Sequence, residues 1–482
     1  MLNHPCPLRT NACATPHAPA LITPHGQLSY ADLDEAIARA AGVFAEALPA
    51  GARVAIVSAA DADGIVALHA VMRAGLVAFP LSLRFPALVV RELAERFHCA
   101  AVYVDSPDRA EFPGATFTRD DLRKPARPAP AATWAERPAA MVLTSGSTGE
   151  PKAAVHAFRG LRRSAEGCNA RIPLRPRDRW LLTLPLHHVA GIGILFRAAV
   201  AGAAVWLPAP QQPLEEAILA SGATHVSLVA TQLYRLLQSV EGIKAAQSLK
   251  AILLGGGPAP LSLLARAHAL GLHLYNSYGL TETASLVTAT RPEDPIDTWL
   301  TAGQPLRPGT VAVSADGEIL VSGETLFLGY AGGHSWTRTV DANGFFATGD
   351  LGYFDSAGNL CVTGRKDNMF ISGGENIQPE EVERVLAAHP AIRQALVVPI
   401  ADAEFGAVPV AFVQSSTEDV LGEAELRGYL AGALPRFKSP RFFFPWPEDP
   451  GGAAIKPLRR DMHTLAERLV QGTGLRHERV HE

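Results

Sequence analysis

Residues 141–156 read Met141-Val-Leu-Thr-Ser-Gly-Ser-Thr-Gly-Glu-Pro-Lys-Ala-Ala-Val-His156, an apolar strand that runs into a loop made almost wholly of small hydroxyl and glycine residues. Such a loop is suited to holding phosphate. Thr144, Ser145, Ser147 and Thr148 offer hydroxyl donors, and Gly146 and Gly149 let backbone N–H groups approach an anion with no Cβ in the way. Lys152 adds a positive charge at the loop's exit. The order excludes a Walker A loop, which sets Gly-Lys-Ser/Thr together at the mouth of a helix, because Glu150 and Pro151 separate Gly149 from Lys152. A Gly/Ser/Thr run by itself is commonly a solvated linker; its place after an apolar strand argues for the phosphate site.

Outward from this loop the chain alternates helical and extended patterns. Ser29 is placed to cap a helix over 28–44 with Leu33, Ile37, Ala40 and Ala41 on one face. Strands are predicted at 53–58, 77–81 and 100–104, with helices over 60–74 and 87–97 between them. The alternation resumes with a strand at 224–229, a helix at 232–238 and a strand at 249–254 that ends in Gly255-Gly-Gly-Pro258. From about 303 to 362 the texture changes to short strands with glycine turns, a small β subdomain, and the last hundred or so residues form another compact unit. This is an α/β pattern. The charged turn Gly364-Arg-Lys-Asp-Asn368 is the expected boundary between domains at 1–366 and 367–482.

The 482 residues, 48% of them hydrophobic, can bury a large core in more than one domain. A net charge of −4, from 43 basic and 47 acidic residues, gives no field suited to nucleic acid or to an anionic membrane. The five cysteines are scattered, with no Cys-x-x-Cys pair, so neither a disulfide framework nor a zinc site is indicated, and a reducing cytoplasm is expected. Prolines interrupt residues 1–21, which lack the apolar run of a secretory signal. Residues 189–207 are apolar enough to mimic a membrane span, but Arg197 stands in the middle and Gly191, Gly193 and Gly202 interrupt it; a buried helix followed by a strand is predicted.

The loop at 143–149 resembles the signature of the adenylate-forming superfamily, which includes acyl-CoA synthetases, firefly-type luciferases and peptide-synthetase adenylation domains. The resemblance covers nearly the whole chain. It implies a large N-terminal domain of α/β and small β subdomains followed by a small, mobile C-terminal α+β domain. It also implies ATP, Mg²⁺ and CoA as ligands, with Ser145 to Gly149, Thr144 and Lys152 around the phosphates and Thr148 near the metal. Tyr275-Asn-Ser-Tyr-Gly-Leu-Thr-Glu-Thr283 is similar to the family's adenine and magnesium motif. There Tyr278 would stack on adenine, Thr281 would bond the α-phosphate and Glu282 would hold Mg²⁺, a hard cation that prefers oxygen. Read alone, Tyr278 is equally a core residue and Glu282 a solvated charge. Thr348-Gly-Asp350 resembles the ribose motif, with Arg365 adding a second contact, although a lone Thr-Gly-Asp is a common turn. Gly255 and Gly256 would also line the nucleotide.

Gly373-Gly-Glu-Asn-Ile-Gln-Pro379 matches the next motif, in which Gly373 and Gly374 would pass the pantetheine arm of CoA; a glycine turn before a helix fits the same residues. Lys456, in Gly451-Gly-Ala-Ala-Ile-Lys456, falls at the family's catalytic lysine, with Ile455 departing from the usual glycine. The resemblance implies that Lys456 assists adenylation, after which the small domain turns about Asp367. His188 takes the histidine position near the acid, and Thr231, Arg235 and Ser277 are expected at the substrate. Arg235 either reaches inward to a second carboxylate or faces solvent. Residues 143–156, 227–237 and 374–385 look most like the bacterial 2-succinylbenzoate-CoA ligase branch, whose acid is an aromatic dicarboxylate of menaquinone synthesis. Two alternatives stand beside it. One is an enzyme that adenylates another aryl or fatty acid or loads a carrier protein, with Arg459 and Arg460 as a docking patch; the other is a non-catalytic nucleotide binder. The oligomeric state, a homo-oligomer included, is open.

Overall fold

The helix Tyr30–Ala47 begins where its sequence says it should. Ser29 Oγ accepts from the Asp32 amide at 3.2 Å while the Asp32 carboxylate accepts from the Ser29 amide at 3.0 Å, a reciprocal cap. Leu33, Ile37, Ala40, Ala41 and Phe44 then fall on the buried face. The strand Arg53–Val57 is buried along its whole length, as a parallel strand covered on both faces must be. The computed structural model describes residues 6–106, 112–129, 136–144, 151–333, 335–373, 375–402, 404–416, 422–447 and 459–472.

Among the described residues the strands gather into two large sheets and three small ones. The first large sheet runs, in spatial order, Gln304–Pro305, Ser285–Ala289, Leu274–Leu280, Ala251–Leu254, His225–Leu228, Arg179–Leu181, Ala204–Trp206, Pro19–Thr23, Gly26–Ser29. Its middle is parallel and its ends antiparallel. The second runs Ser335–Thr337, Gly329–Gly332, Lys152–Ala157, Pro138–Thr144, Val77–Pro80, Arg53–Val57, Cys99–Val104, Ala115–Phe117. The third is the antiparallel set Thr310–Val313, Glu318–Ser322, Phe346–Phe354 and Leu360–Arg365, the β subdomain expected at 303–362. Residues 189–207 form the helix Val189–Ala201 and the strand Ala204–Trp206, and no helix of the described residues is long and apolar enough to cross a membrane.

The C-terminal part has its own core. The long hairpin Ile392–Asp402 and Gly406–Ser415, with Phe442–Pro445 paired parallel to its second strand, carries the helices Pro379–Ala387, Glu423–Ala431 and Arg459–Gly472. A 3₁₀ turn, Lys366–Asn368, joins this part to the strand Leu360–Arg365. Arg384 donates to the Thr363 carbonyl at 3.0 Å and Gln378 Nε2 to the Arg365 carbonyl at 2.8 Å across the connection. The fold is thus a large N-terminal and a small C-terminal domain.

Candidate active site

The strands Pro138–Thr144 and Lys152–Ala157 pair antiparallel, with Thr144 opposite Lys152, so both ends of the glycine loop are anchored in the second sheet. Ser145, Gly146, Ser147, Thr148 and Gly149 lie outside the described residues, as do Gly374 and Lys456. Lys152 places its Nζ 5.3 Å from the centroid of the Tyr330 ring.

Facing this, the strand Leu274–Leu280 delivers Tyr278, and the 3₁₀ turn Thr281–Thr283 delivers Thr281 and Glu282. Tyr278 donates to Asp350 Oδ2 at 2.7 Å, and Arg365 Nη1 donates to Asp350 Oδ1 at 2.9 Å. Burial pushes the Asp350 carboxyl above its ordinary range, opposed by the Tyr278 hydrogen bond and the Arg365 charge. Glu282 accepts from the Tyr330 hydroxyl at 2.6 Å. Burial and the neighbouring carboxylates hold both phenols protonated well past their usual range. The structure therefore brings together Thr144, Lys152, Tyr278, Thr281, Glu282, Asp350 and Arg365, residues drawn from three sheets. A carboxylate has about four lone-pair directions, so Asp350 keeps acceptor capacity beside its two protein donors.

On the other side, Ser277 Oγ donates to the Leu254 carbonyl at 2.8 Å, and a Cβ on Gly255 would come within 3.1 Å of that hydroxyl. Gly256 has φ +83°. His188, at the start of the helix Val189–Ala201, is solvent-facing and packs against His187 with ring centroids 4.4 Å apart. Desolvation lowers the pKa of both rings, that of His187 to about 4. Asp367 is exposed in the connecting turn, with its carboxylate 3.4 Å from Arg365. Gly373 has φ +57°, a left-handed conformation that favours glycine, and a Cβ there would meet the Phe405 ring at 2.9 Å.

Two expectations are corrected. Arg235 does not reach inward: it is exposed, as is Thr231 one turn earlier, because Leu233, Leu236 and Leu237 take the buried side of their short helix and an unpaired cation is more stable in water. Arg459 is not a free docking charge either. It pairs with Glu383 at 2.7 Å and Glu380 at 3.3 Å inside the small domain, and Glu380 also accepts from Asn368 beside the connecting turn.

The cation that is buried is Arg197, 1% exposed on the helix Val189–Ala201. Its Nη2 donates to Ser285 Oγ, just past the Tyr278–Thr283 segment, and its guanidinium lies 5.2 Å from the Trp180 ring centroid. Among the described residues Nε and Nη1 have no partner and no carboxylate neutralises the charge. The sequence showed this residue only as a charge inside an apolar run. Tyr330 carried no local signal.

Residues 8–331 match the AMP-binding enzyme family and residues 381–451 its C-terminal domain. The chain belongs to the AMP-binding enzymes. Among similar AMP-binding enzymes, the 2-succinylbenzoate--CoA ligase of Salmonella typhimurium is 37% identical over 92% of this chain and 94% of its own length. That of Escherichia coli is 38% identical over 84% and 85%. The o-succinylbenzoate CoA synthetase from Bacillus subtilis in complex with its acyl-adenylate intermediate superposes with a TM-score of 0.86 at 31% identity, covering 95% of this chain and 98% of that one. The same enzyme with ATP and magnesium ion gives 0.82 at 31% identity, over 92% and 96%.

His156, in the strand that leaves the loop, is fully buried beside the Thr281 backbone, and neither ring nitrogen meets hydrogen-bond geometry among the described residues. Desolvation lowers its pKa from 6.5 to about 4, and does the same to His69. As pH falls from 6.5 towards 4 the unfolded chain takes up protons that these rings refuse, so stability is expected to fall through that window. Urea unfolding at several pH values checks this: His156→Leu should flatten the slope, and an unchanged slope would exclude His156 as a source.

Proposed function

We propose that this AMP-binding enzyme is an ATP-dependent, AMP-forming acid-CoA ligase acting on 2-succinylbenzoate in menaquinone biosynthesis. The observation that carries the choice of acid is Arg197. Burying an unpaired guanidinium costs several kcal/mol, and an aromatic dicarboxylate, activated at one carboxyl, would bring a second carboxylate to answer that charge. The relatives' printed substrate supports the same reading.

In this reading one substrate carboxylate oxygen attacks the α-phosphorus of ATP and pyrophosphate leaves. The CoA thiol, losing its proton, then attacks the acyl carbon and AMP leaves. Tyr278 would stack on adenine, Asp350 would accept the ribose hydroxyls with Arg365 holding it in place, and Gly255 and Gly256 would lie along the nucleotide. Thr281 would bond the α-phosphate. Mg²⁺, when bound, would offset phosphate charge; Glu282, an oxygen ligand within this cluster, fits such an ion, with Thr148 as its motif partner. His188 would orient the acid, with Ser277 beside it. The roles of the 145–149 loop, of Gly373 and Gly374 at the pantetheine arm, and of Lys456 in offsetting charge at the α-phosphate rest on their motifs. We place the domain boundary at 366/367, with Asp367 as the hinge, and the enzyme in a reducing cytoplasm, where its five cysteines stay free.

Mass spectrometry of CoA thioesters formed with ATP, Mg²⁺ and CoA tests this, with 2-succinylbenzoate set against benzoate, 4-hydroxybenzoate and a medium-chain fatty acid. The expected product is 2-succinylbenzoyl-CoA, unaffected by Arg235→Ala. Turnover of a monocarboxylic acid alone would leave a ligase and sink the choice of substrate.

A further inference from the structure

Glu282 is gripped twice by one short segment of chain. The Phe327 amide donates to the Glu282 carbonyl at 2.8 Å, and three residues later the Tyr330 hydroxyl donates to Glu282 Oε1 at 2.6 Å. That segment has little freedom. Leu328 donates to the Val155 carbonyl at 2.7 Å, and Gly329 and Tyr330 pair with Val155 and Ala154 on the strand that leaves the glycine loop. Gly329 sits at φ +146°, where a Cβ would come within 2.2 Å of the Thr337 carbonyl oxygen. The Phe327 ring meets the Tyr330 ring nearly edge-on, centroids 4.9 Å apart. Lys152 Nζ lies over the phenol ring, 5.3 Å from its centroid, where a cation draws density from the ring and makes the O–H a better donor. Oε2 of Glu282 has no hydrogen bond among the described residues.

We infer that Tyr330 is a positioning residue for the metal site: it occupies Oε1 of Glu282, fixes the carboxylate's orientation and leaves Oε2 for a divalent cation. The inference rests on the reading of Glu282 as a Mg²⁺ ligand. A carboxylate held by an outer hydrogen bond arrives at a metal already oriented, and losing such a bond characteristically weakens metal binding. Because the same ring lies under Lys152, Tyr330 links the exit of the phosphate loop to the metal carboxylate.

Electron paramagnetic resonance of Mn²⁺, titrated into the full-length enzyme with a non-hydrolysable ATP analogue, reads this without turnover. Tyr330→Phe keeps the ring, and with it the Phe327 and Lys152 contacts, but removes the donor. It is expected to raise the Mn²⁺ dissociation constant by roughly tenfold. Glu282→Gln should weaken Mn²⁺ at least as much, and the double variant should lose no more than Glu282→Gln alone, because both changes act through one carboxylate. In turnover, Tyr330→Phe should need more Mg²⁺ for half-maximal rate while kcat at saturating Mg²⁺ is kept. Wild-type Mn²⁺ affinity in Tyr330→Phe beside a weakened Glu282→Gln would overturn the positioning role alone. Wild-type affinity in Glu282→Gln would overturn the ligand reading and the inference with it.

Discussion

Replacing Arg197 with methionine is expected to lower kcat/KM for 2-succinylbenzoate by roughly 10²- to 10³-fold, the scale of a buried charge-assisted hydrogen bond to carboxylate, while the fold becomes no less stable. The two halves of this expectation have one cause. In the free protein the guanidinium is almost fully buried, bonded to Ser285 Oγ and lying over Trp180, and it lacks a counter-charge among the described residues. Methionine is of similar volume, fits an apolar helix and brings no charge to desolvate, so the thermal midpoint should hold or rise. With the dicarboxylate bound, the same guanidinium has a partner and its removal leaves a carboxylate buried alone. Thermal melts and steady-state rates on one preparation separate the two. Full activity in Arg197→Met would show that the charge does not meet the substrate.

The second large effect is expected at Asp350. Its two oxygens each take a protein donor, Tyr278 at 2.7 Å and Arg365 at 2.9 Å, and the residue is 6% exposed. Asp350→Asn keeps the shape but removes the charge that Arg365 faces and turns one acceptor into a donor pointed at another donor. Losing charge-assisted bonds of this kind costs about 2–4 kcal/mol, so ATP affinity by calorimetry should fall about 30- to 1000-fold. Tyr278→Phe removes one neutral donor and should cost far less. ATP binding at wild-type strength in Asp350→Asn would remove Asp350 from the nucleotide site.

The parts of the fold and of the candidate site that could be read along the chain are those written locally. Ser29 caps its helix within one turn, and the glycine loop, the Tyr278–Thr283 segment and Thr348-Gly-Asp350 are contiguous strings whose proposed roles come from their resemblance to family motifs. Failures came where the answer depended on which side of an element meets the rest of the protein. Arg235 and Arg197 each stand among apolar neighbours on a helix, and spacing alone does not separate a cation facing water from one facing the interior. Packing against Trp180 and Ser285 decided it. Tyr330 was missed for a related reason: its meaning lies in a hydrogen bond to a residue 48 positions away, and a tyrosine in a short strand carries no mark of its partner.

The same separations say when this centre comes into being as the chain folds. Tyr278 and Asp350 are 72 positions apart and carried by different sheets, and Arg197 and Ser285 are 88 apart, one on a helix and the other on a strand. Each contact closes a long loop, whose entropy must be met before the contact can reward it. None can persist until its parent elements have formed and docked. Adenylation should therefore be the last property to return on refolding, later than helical signal or tryptophan burial, and a stringent report that the whole N-terminal domain has reached its final arrangement.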